Sequence, residues 1–155
     1  MQNINYKIAN FREAKASDIG QIQVVRNSVK ENMLTRPHLV TNAHCLDYIT
    51  NRGKGWVCEI NHCIVGFSIV DLKDCNVWAL FVNPNYEMHG IGRQLQQIML
   101  SWYFGQTTNT IWLSTDPKTR AANFYRKSGW NEIGMLGNGE LKFEMTHEDW
   151  KNRNR

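Results

Sequence analysis

Six consecutive apolar residues at 77–82 place the tightest limit on how this 155-residue chain can fold. Because the run does not alternate with polar residues, it predicts a strand covered on both faces, at the centre of a sheet. A glycine-bearing turn after Pro84 leads into an amphipathic helix at 90–104, and another strand is expected at 110–114. This order predicts a right-handed parallel βαβ crossover with residues 77–82 as its most buried strand.

Hydrophobic periodicity and turn residues divide the remaining chain into short elements. Upstream of the run we expect an edge strand at 11–16, a helix at 17–29, a polar loop at 30–40, a helix at 41–52, and antiparallel strands at 56–60, 63–70 and 75–82. Downstream we expect a helix at 117–128 and a hairpin of 130–135 with 140–145. The fold class is therefore α/β (α+β mixed). It has a mostly antiparallel sheet of about six to seven strands, one parallel βαβ unit and about four helices.

The apolar faces of these helices predict the core. For the first helix we expect Ile19, Ile22, Val25 and Val29 to face inward. For the second we expect Cys45, Leu46 and Ile49 to do so, with Thr41 as its N-cap. On the helix at 90–104, Gln96 is expected on the polar side, opposite the apolar stripe.

Charge and cysteine content exclude several classes of protein. The net charge is +4, and Lys151, Arg153 and Arg155 supply three of those charges. We therefore predict one domain at 1–150 with a near-neutral body and a solvated basic tail at 151–155, and no nucleic-acid partner. No apolar run approaches the ~20 residues of a membrane span, and no secretory signal is visible, so we expect a cytoplasmic protein with no membrane partner. Four cysteines without a CxxC pair predict buried thiols and no metal site.

Glycines at 90 and 92 stand where the central strand joins its helix. Such a turn can direct successive backbone N–H groups toward an anion at a helix N-terminus. A dinucleotide-binding fingerprint would need a third glycine where Leu95 stands, and a nucleotide-triphosphate loop would need Gly-Lys-Ser/Thr in place of Gly92-Arg93-Gln94. The glycines alone therefore predict a phosphate site of another type, or only a sharp turn.

A second motif about 30 residues downstream gives the turn a more specific meaning. Residues 87–92, Glu-Met-His-Gly-Ile-Gly, match both glycines of the pattern (Arg/Gln)-x-x-Gly-x-(Gly/Ala), and residues 121–130 match Ala-x-x-Phe-Tyr-x-Lys-x-Gly-(Phe/Trp) at every place. Together they resemble the GNAT superfamily of N-acetyltransferases, and the order of elements resembles that family over nearly the whole chain. Two departures are Glu87, where the family usually has Arg or Gln, and Lys118, where many relatives have Asn.

The resemblance implies acetyl-CoA as co-substrate, a direct transfer in a ternary complex, and a site between the two parallel strands. Its pantetheine arm would lie after Val82 and Ser114. The implied cofactor-binding residues are Phe81, Val82, Met88, His89, Gly90, Ile91, Gly92, Arg93, Asn123 and Tyr125. Tyr125 is the expected general acid for the leaving thiolate, since a tyrosine of pKa ~10 is protonated at neutral pH. A homodimer is also compatible with the family.

The sequence does not identify the acceptor or the residue that removes the acceptor's proton. Glu59, Asp71, His89 and Glu144 are all conceivable bases, and the sequence selects none of them. The loop at 30–40 and the hairpin turn at 134–140 would form the acceptor walls, lined by Trp78, Tyr86 or His38. The leading hypothesis is acetylation of a small-molecule primary amine; the alternatives are acetylation of a protein N-terminus or lysine, and a non-catalytic acyl-CoA sensor.

Overall fold

The computed structural model describes residues 8–29, 40–87 and 89–153 of the chain. Within them, seven strands form one sheet in the order β1-β2-β3-β4-β5-β7-β6. The strands are β1 (Asn10–Glu13), β2 (Gly53–Ile60), β3 (Cys63–Asp71), β4 (Asn76–Val82), β5 (Ile111–Thr115), β6 (Asn131–Met135) and β7 (Leu141–Met145). Only the β4–β5 pair is parallel. The predicted mixed sheet with a parallel βαβ unit is confirmed.

Helices cover both faces of this sheet. They are α1 (Ile19–Ser28), α2 (Asn42–Asp47), α3 (Ile91–Gln106), α4 (Arg120–Lys127) and α5 (His147–Arg153). One core lies under α1 and α2, and another lies under α3, α4 and α5. Helix α5 was not predicted, and it continues past the tail boundary expected at residue 150. In the described ranges, no helix has the length and apolar character that crossing a bilayer requires.

The most buried strand is β3, so the prediction that residues 77–82 would hold that place is wrong. Eight of the nine residues of β3 are buried, whereas β4 buries only Val77 and Ala79. Helices pack on both sides of β3, and Gly66 lets α3 approach closely: a Cβ there would meet Ile91 and Leu95 at 3.2 Å. The apolar side chains of β4 instead line cavities beside β5.

Two side chains lie on faces other than those predicted. Leu46 is 42% exposed, because α2 ends at Asp47 and a wider π-helical turn follows. Gln96 is fully buried, and its Oε1 accepts a 2.6 Å hydrogen bond from Trp130 Nε1. This bond satisfies a buried indole and joins α3 to the start of β6. The predicted cap is confirmed, since Thr41 Oγ1 accepts from the backbone N–H of His44.

A bulge in β4 changes which side chains share a face. Ile69 pairs with Ala79 but Val70 pairs with Val77, so Trp78 is an extra residue in β4. In a regular strand, Trp78 and Phe81 would point to opposite faces. With the bulge, both pack against the core beneath α1 and α2.

A half-buried ion pair anchors the start of α1. Arg12 on β1 donates to both carboxylate oxygens of Asp18, at 2.8 and 2.9 Å, and its Nε donates to Glu59 at 2.6 Å. The backbone N–H of Lys15 donates to Asp18 at 2.7 Å. These bonds hold the pKa of Asp18 below its usual range. A paired carboxylate of this kind contributes stability above its unfolded pKa and loses it as pH falls through the lower folded pKa.

We expect Asp18→Asn to lower the free energy of unfolding by about 1–3 kcal/mol at pH 7, because Arg12 would lose one of its two charged partners. The difference from wild type should shrink as pH falls below about 4 and the wild-type carboxylate takes up its proton. Urea unfolding from pH 7 to pH 3 measures it. Glu148→Gln, at an exposed side chain, is the control. A difference that stayed constant across this range would contradict the assignment.

Candidate functional site

The two parallel strands are joined at their amino ends only. Their register holds a single pair, Asn76 with Trp112, and Asn76 Nδ2 donates to the Trp112 carbonyl at 3.1 Å. Beyond this pair the strands separate, earlier along both strands than the sequence predicted. Residues 77–81 of β4 and 113–115 of β5 border a gap of about 70 Å³.

Tyr125 on α4 lies where this gap meets a larger cleft, and its side chain borders both. It is 6% exposed and packs edge-on against Phe124 and Trp130, with ring centroids 5.3 and 5.7 Å away. Burial raises the pKa of Tyr125 above its usual value. A raised pKa keeps the hydroxyl protonated at neutral pH, so Tyr125 can act as a hydrogen-bond donor where the gap meets the cleft.

The larger cleft, about 790 Å³, opens at the N-terminus of α3. Gly90 precedes the helix with φ of 82°, a left-handed conformation that glycine adopts without strain. Gly92 also borders the cleft. A Cβ at this position would meet Val82 and Phe124 at 3.7 and 3.8 Å, which are ordinary contacts. The fold itself therefore tolerates a side chain at 92, and the open space is available to a ligand.

Positive charge surrounds this cleft. Four cationic side chains and one carboxylate are among the described residues that border it; they are Arg93, Arg120, Lys127, Arg153 and Glu87. The cations come from α3, α4 and α5, and Arg120 Nη1 donates to Glu87 Oε2 at 2.6 Å. Sequence reasoning missed this cluster because the residues are far apart along the chain. The carboxylate that departs from the family pattern is thus matched by a guanidinium.

Arg153 places a partly enclosed guanidinium at the edge of this cleft. Its Nη1 is enclosed without a hydrogen-bond partner, and its Cζ lies 5.6 Å from the ring centroid of Trp150. Burial lowers the pKa of Arg153, and the like charge of Arg93 lowers it further. Two guanidiniums held near each other in this way favour an anion between them. Arg153 is therefore part of the cleft wall, whereas the sequence predicted a solvated tail.

The structure brings together most of the residues predicted to bind the cofactor. Those bordering the cleft are Phe81, Val82, Gly90, Gly92, Arg93, Asn123 and Tyr125. Ile91 directs its side chain into the core and is 3% exposed. His89 and Lys118 are both exposed, and neither residue borders the cleft. Met88 lies outside the described residues.

None of the four predicted bases borders the gap or the cleft. Glu59 is paired with Arg12, Asp71 with Arg52 at 2.7 Å, and Glu144 with Lys142 at 3.4 Å. Sequence reasoning did not propose Ser114 and Glu140 as partners: Ser114 borders the gap, and its hydroxyl donates to Glu140 at 3.0 Å.

The predicted acceptor walls are described only in part. Trp78 borders the gap and Tyr86 borders the cleft. His38 and nearly all of the loop at 30–40 lie outside the described residues. No group of three or more His, Cys, Asp or Glu side chains in the described ranges is placed to hold a metal ion.

Many solved structures share this fold, and the three described next are each less than 25% identical to the chain. The PaiA N-acetyltransferase from Thermoplasma acidophilum, solved with coenzyme A, has a TM-score of 0.79 at 13% identity, covering 89% of this chain and 98% of its own. A GNAT-family acetyltransferase from Staphylococcus aureus Mu50 gives 0.76 at 21% identity, covering 90% and 99%. The ribosomal-protein-S18-alanine N-acetyltransferase from Escherichia coli gives 0.72 at 14% identity, covering 90% and 94%. These likenesses establish the fold.

Sequence comparison identifies the family directly. No curated protein matches the chain significantly. The acetyltransferase (GNAT) domain family matches residues 51–132, just over half of the chain and the part that carries β2 to the start of β6. By this match, the chain belongs to the GNAT family of acetyltransferases.

Proposed function

We propose that the protein transfers the acetyl group of acetyl-CoA to the primary amine of a small molecule. The observation that carries this proposal is the cleft at the N-terminus of α3, with four cations around it, leading to the gap between β4 and β5. The neighbour from Thermoplasma acidophilum was solved with coenzyme A, which supports the same ligand here.

The charges around the cleft suit the phosphate groups of coenzyme A. Backbone N–H groups at Gly90 and Gly92 would hold the pyrophosphate at the positive end of α3. Arg93 and Arg153 would bind a further phosphate, because a dianion relieves the repulsion between their guanidiniums. Arg120 would neutralise Glu87 through their ion pair, so that the carboxylate at this position does not repel the pyrophosphate.

The separation of β4 from β5 leaves backbone groups for the pantetheine arm. Alternate residues of a central strand direct their N–H and C=O groups to each neighbouring strand, and buried groups of this kind require partners. Past Asn76, β4 has no β5 partner in its register. An N–H near Phe81 or Val82 would stabilise the oxyanion that develops when the amine attacks.

Bound acetyl-CoA would supply an acetyl group activated as a thioester with a thiol leaving group of pKa about 8.5. Burial keeps the Tyr125 hydroxyl protonated at neutral pH, so it can donate a hydrogen bond to the departing sulfur. Full proton transfer from a tyrosine of pKa above 10 to this thiolate is uphill by at least about 2 kcal/mol. Tyr125 therefore acts mainly as a hydrogen-bond donor, and the proton released by the acceptor nitrogen completes the thiol.

The acceptor must lose a proton before it attacks. An alkylamine of pKa 10.4 is neutral in about one molecule in 2,500 at pH 7, which costs about 4.6 kcal/mol. Glu140 would accept this proton through Ser114, because Ser114 borders the gap and is hydrogen-bonded to that carboxylate. The predicted bases Glu59, Asp71 and Glu144 are occupied by ion pairs elsewhere on the sheet.

A second candidate is acetylation of a protein N-terminus. The fold of the Escherichia coli neighbour, named as a ribosomal-protein-S18-alanine N-acetyltransferase, favours it.

The deciding experiment is thiol release from acetyl-CoA with a panel of amino acids, small amines and peptides. Turnover of small amines supports the proposal, whereas turnover of peptides alone supports the second candidate. Coenzyme A binding without any turnover would indicate a sensor.

We expect Tyr125→Phe to lower kcat by about 10²–10⁴-fold without changing folding, because only the donor to the leaving sulfur is removed. Steady-state thiol release measures kcat, and thermal unfolding checks the fold. Tyr103→Phe is the matched control: Tyr103 is equally buried, but its hydroxyl donates to the Asn109 carbonyl, away from the cleft. Full activity in Tyr125→Phe would remove Tyr125 from the mechanism.

We expect Arg153→Met to raise the Kd for coenzyme A by about tenfold or more, because a half-buried charge at the proposed phosphate position is lost. Lys151→Met removes the same charge from the same helix, but Lys151 is 53% exposed and does not border the cleft. Calorimetry should show weaker binding only for Arg153→Met, with a smaller dependence on salt. Equal effects of the two variants would mean that only overall charge matters.

A further inference from the structure

Arg26 is buried, and no acidic side chain in the part of the chain that the structure describes pairs with it. It follows Ile22 by four positions on the apolar face of α1 and is 7% exposed. Its Nε and Nη2 are enclosed and make no hydrogen bond to the protein. Elsewhere in the described ranges, Arg12 and Arg52 each meet an acidic side chain. A guanidinium that loses water without gaining an acceptor destabilises the fold, so this arrangement needs a reason.

Aromatic rings supply part of the missing stabilisation. The Cζ of Arg26 lies 4.9 Å from the ring centroid of Trp78, 5.1 Å from Phe81 and 5.7 Å from Phe67. Ring faces attract the cation, but they provide no oxygen for Nε and Nη2. Burial lowers the pKa of Arg26, and among the described groups only the buried Cys45 thiol opposes that shift.

This guanidinium shares two aromatic neighbours with the proposed reaction site. Trp78 and Phe81 contact Arg26 and also border the gap between β4 and β5, at the place where the acceptor amine must arrive. The bulge in β4 brings both rings to this face. Arg26 itself does not line the gap, so Trp78 and Phe81 are the residues that connect an acceptor there with the two N–H donors.

We infer that Arg26 binds a carboxylate of the acceptor, so that the substrate is an amino acid whose amine and carboxylate are a few bonds apart. This inference rests on the proposed acetyltransfer and narrows its substrate class. The planar guanidinium fork matches a carboxylate with two parallel hydrogen bonds. A single negative charge balances a single guanidinium, whereas a phosphate dianion would leave net charge buried in an aromatic pocket.

The test compares amino acids with their amides as acceptors in wild type and in Arg26→Met. An amino acid and its amide differ in the pKa of the amine as well as in charge. We therefore take the ratio of kcat/KM for the acid to kcat/KM for the amide, and compare this acid-to-amide ratio between wild type and Arg26→Met. We expect this ratio to fall by about 10- to 100-fold in Arg26→Met, through KM for the acid, with coenzyme A affinity unchanged. Arg26→Lys should recover part of the preference, since the charge remains and the fork is lost.

Thermal stability distinguishes a role of Arg26 in binding the acceptor from a role in holding the fold together. Met fills a similar volume without an unpaired charge, so Arg26→Met should keep or raise the Tm if the guanidinium serves the acceptor. Arg12→Met, which breaks the pair with Asp18, should lower the Tm and leave the acid-to-amide ratio unchanged. A lower Tm in Arg26→Met with an unchanged ratio would overturn the inference.

Two further outcomes distinguish the possible failures. Glu31 is the acidic residue nearest to Arg26 along the sequence. Coupling between Glu31→Gln and Arg26→Met in a stability double-mutant cycle would show that the chain's own carboxylate occupies this guanidinium, and would overturn the inference. If wild type acetylates amines and Arg26→Met leaves the ratio unchanged, only this inference fails. If no amine is acetylated, the proposed function fails first.

Discussion

Two parallel strands held together at one end and apart at the other determine most of what this protein presents to a ligand. Three hydrogen bonds make the joint: Asn76 Nδ2 to the Trp112 carbonyl, the Trp112 backbone N–H to the Cys75 carbonyl at 2.9 Å, and Trp112 Nε1 to the Asp74 carbonyl at 2.9 Å. Past this joint, β4 exposes apolar side chains and backbone groups in the middle of the sheet. The position of Tyr125, the reduced burial of β4 and the route from cleft to gap all follow from the separation.

Local patterns in the sequence predicted the elements well. The hairpin turn at Asn61-His62 has positive φ at both residues, 52° and 65°, as its composition suggests. Thr41 caps its helix and the two glycines mark the start of α3, because each of these features depends on residues a few positions apart. Periodicity could also have drawn attention to Arg26, which occupies an apolar-face position four residues after Ile22.

Other features depend on contacts that no local pattern records. Trp78 joins Phe81 on one face only because β3 and β4 shift register, and nothing in the alternation of residues 77–82 marks that shift. The cations around the cleft come from α3, α4 and α5, which the fold brings together. Gln96 appeared polar and exposed by its helical position, whereas Trp130, 34 residues away, makes it a buried acceptor.

The charged groups of this protein differ in how completely they are paired. Arg12 and Arg52 each pair with two carboxylates and hold secondary structure in place, although Arg52 Nε has no hydrogen-bond partner. Arg26 and Arg153, near the gap and cleft, retain enclosed nitrogens without acceptors. Native stability is only about 5–15 kcal/mol in total, so unpaired buried charges are a substantial cost. Their location beside the proposed ligand sites gives that cost a functional explanation.

The ion pair between Glu87 and Arg120 bears on engineering by consensus. The family pattern favours Arg or Gln at position 87, so a consensus library would introduce Arg there. In this chain that change would set two guanidiniums where a 2.6 Å bond now joins the loop before α3 to the first residue of α4. In such a library, residues 87 and 120 should therefore be exchanged together or both left unchanged.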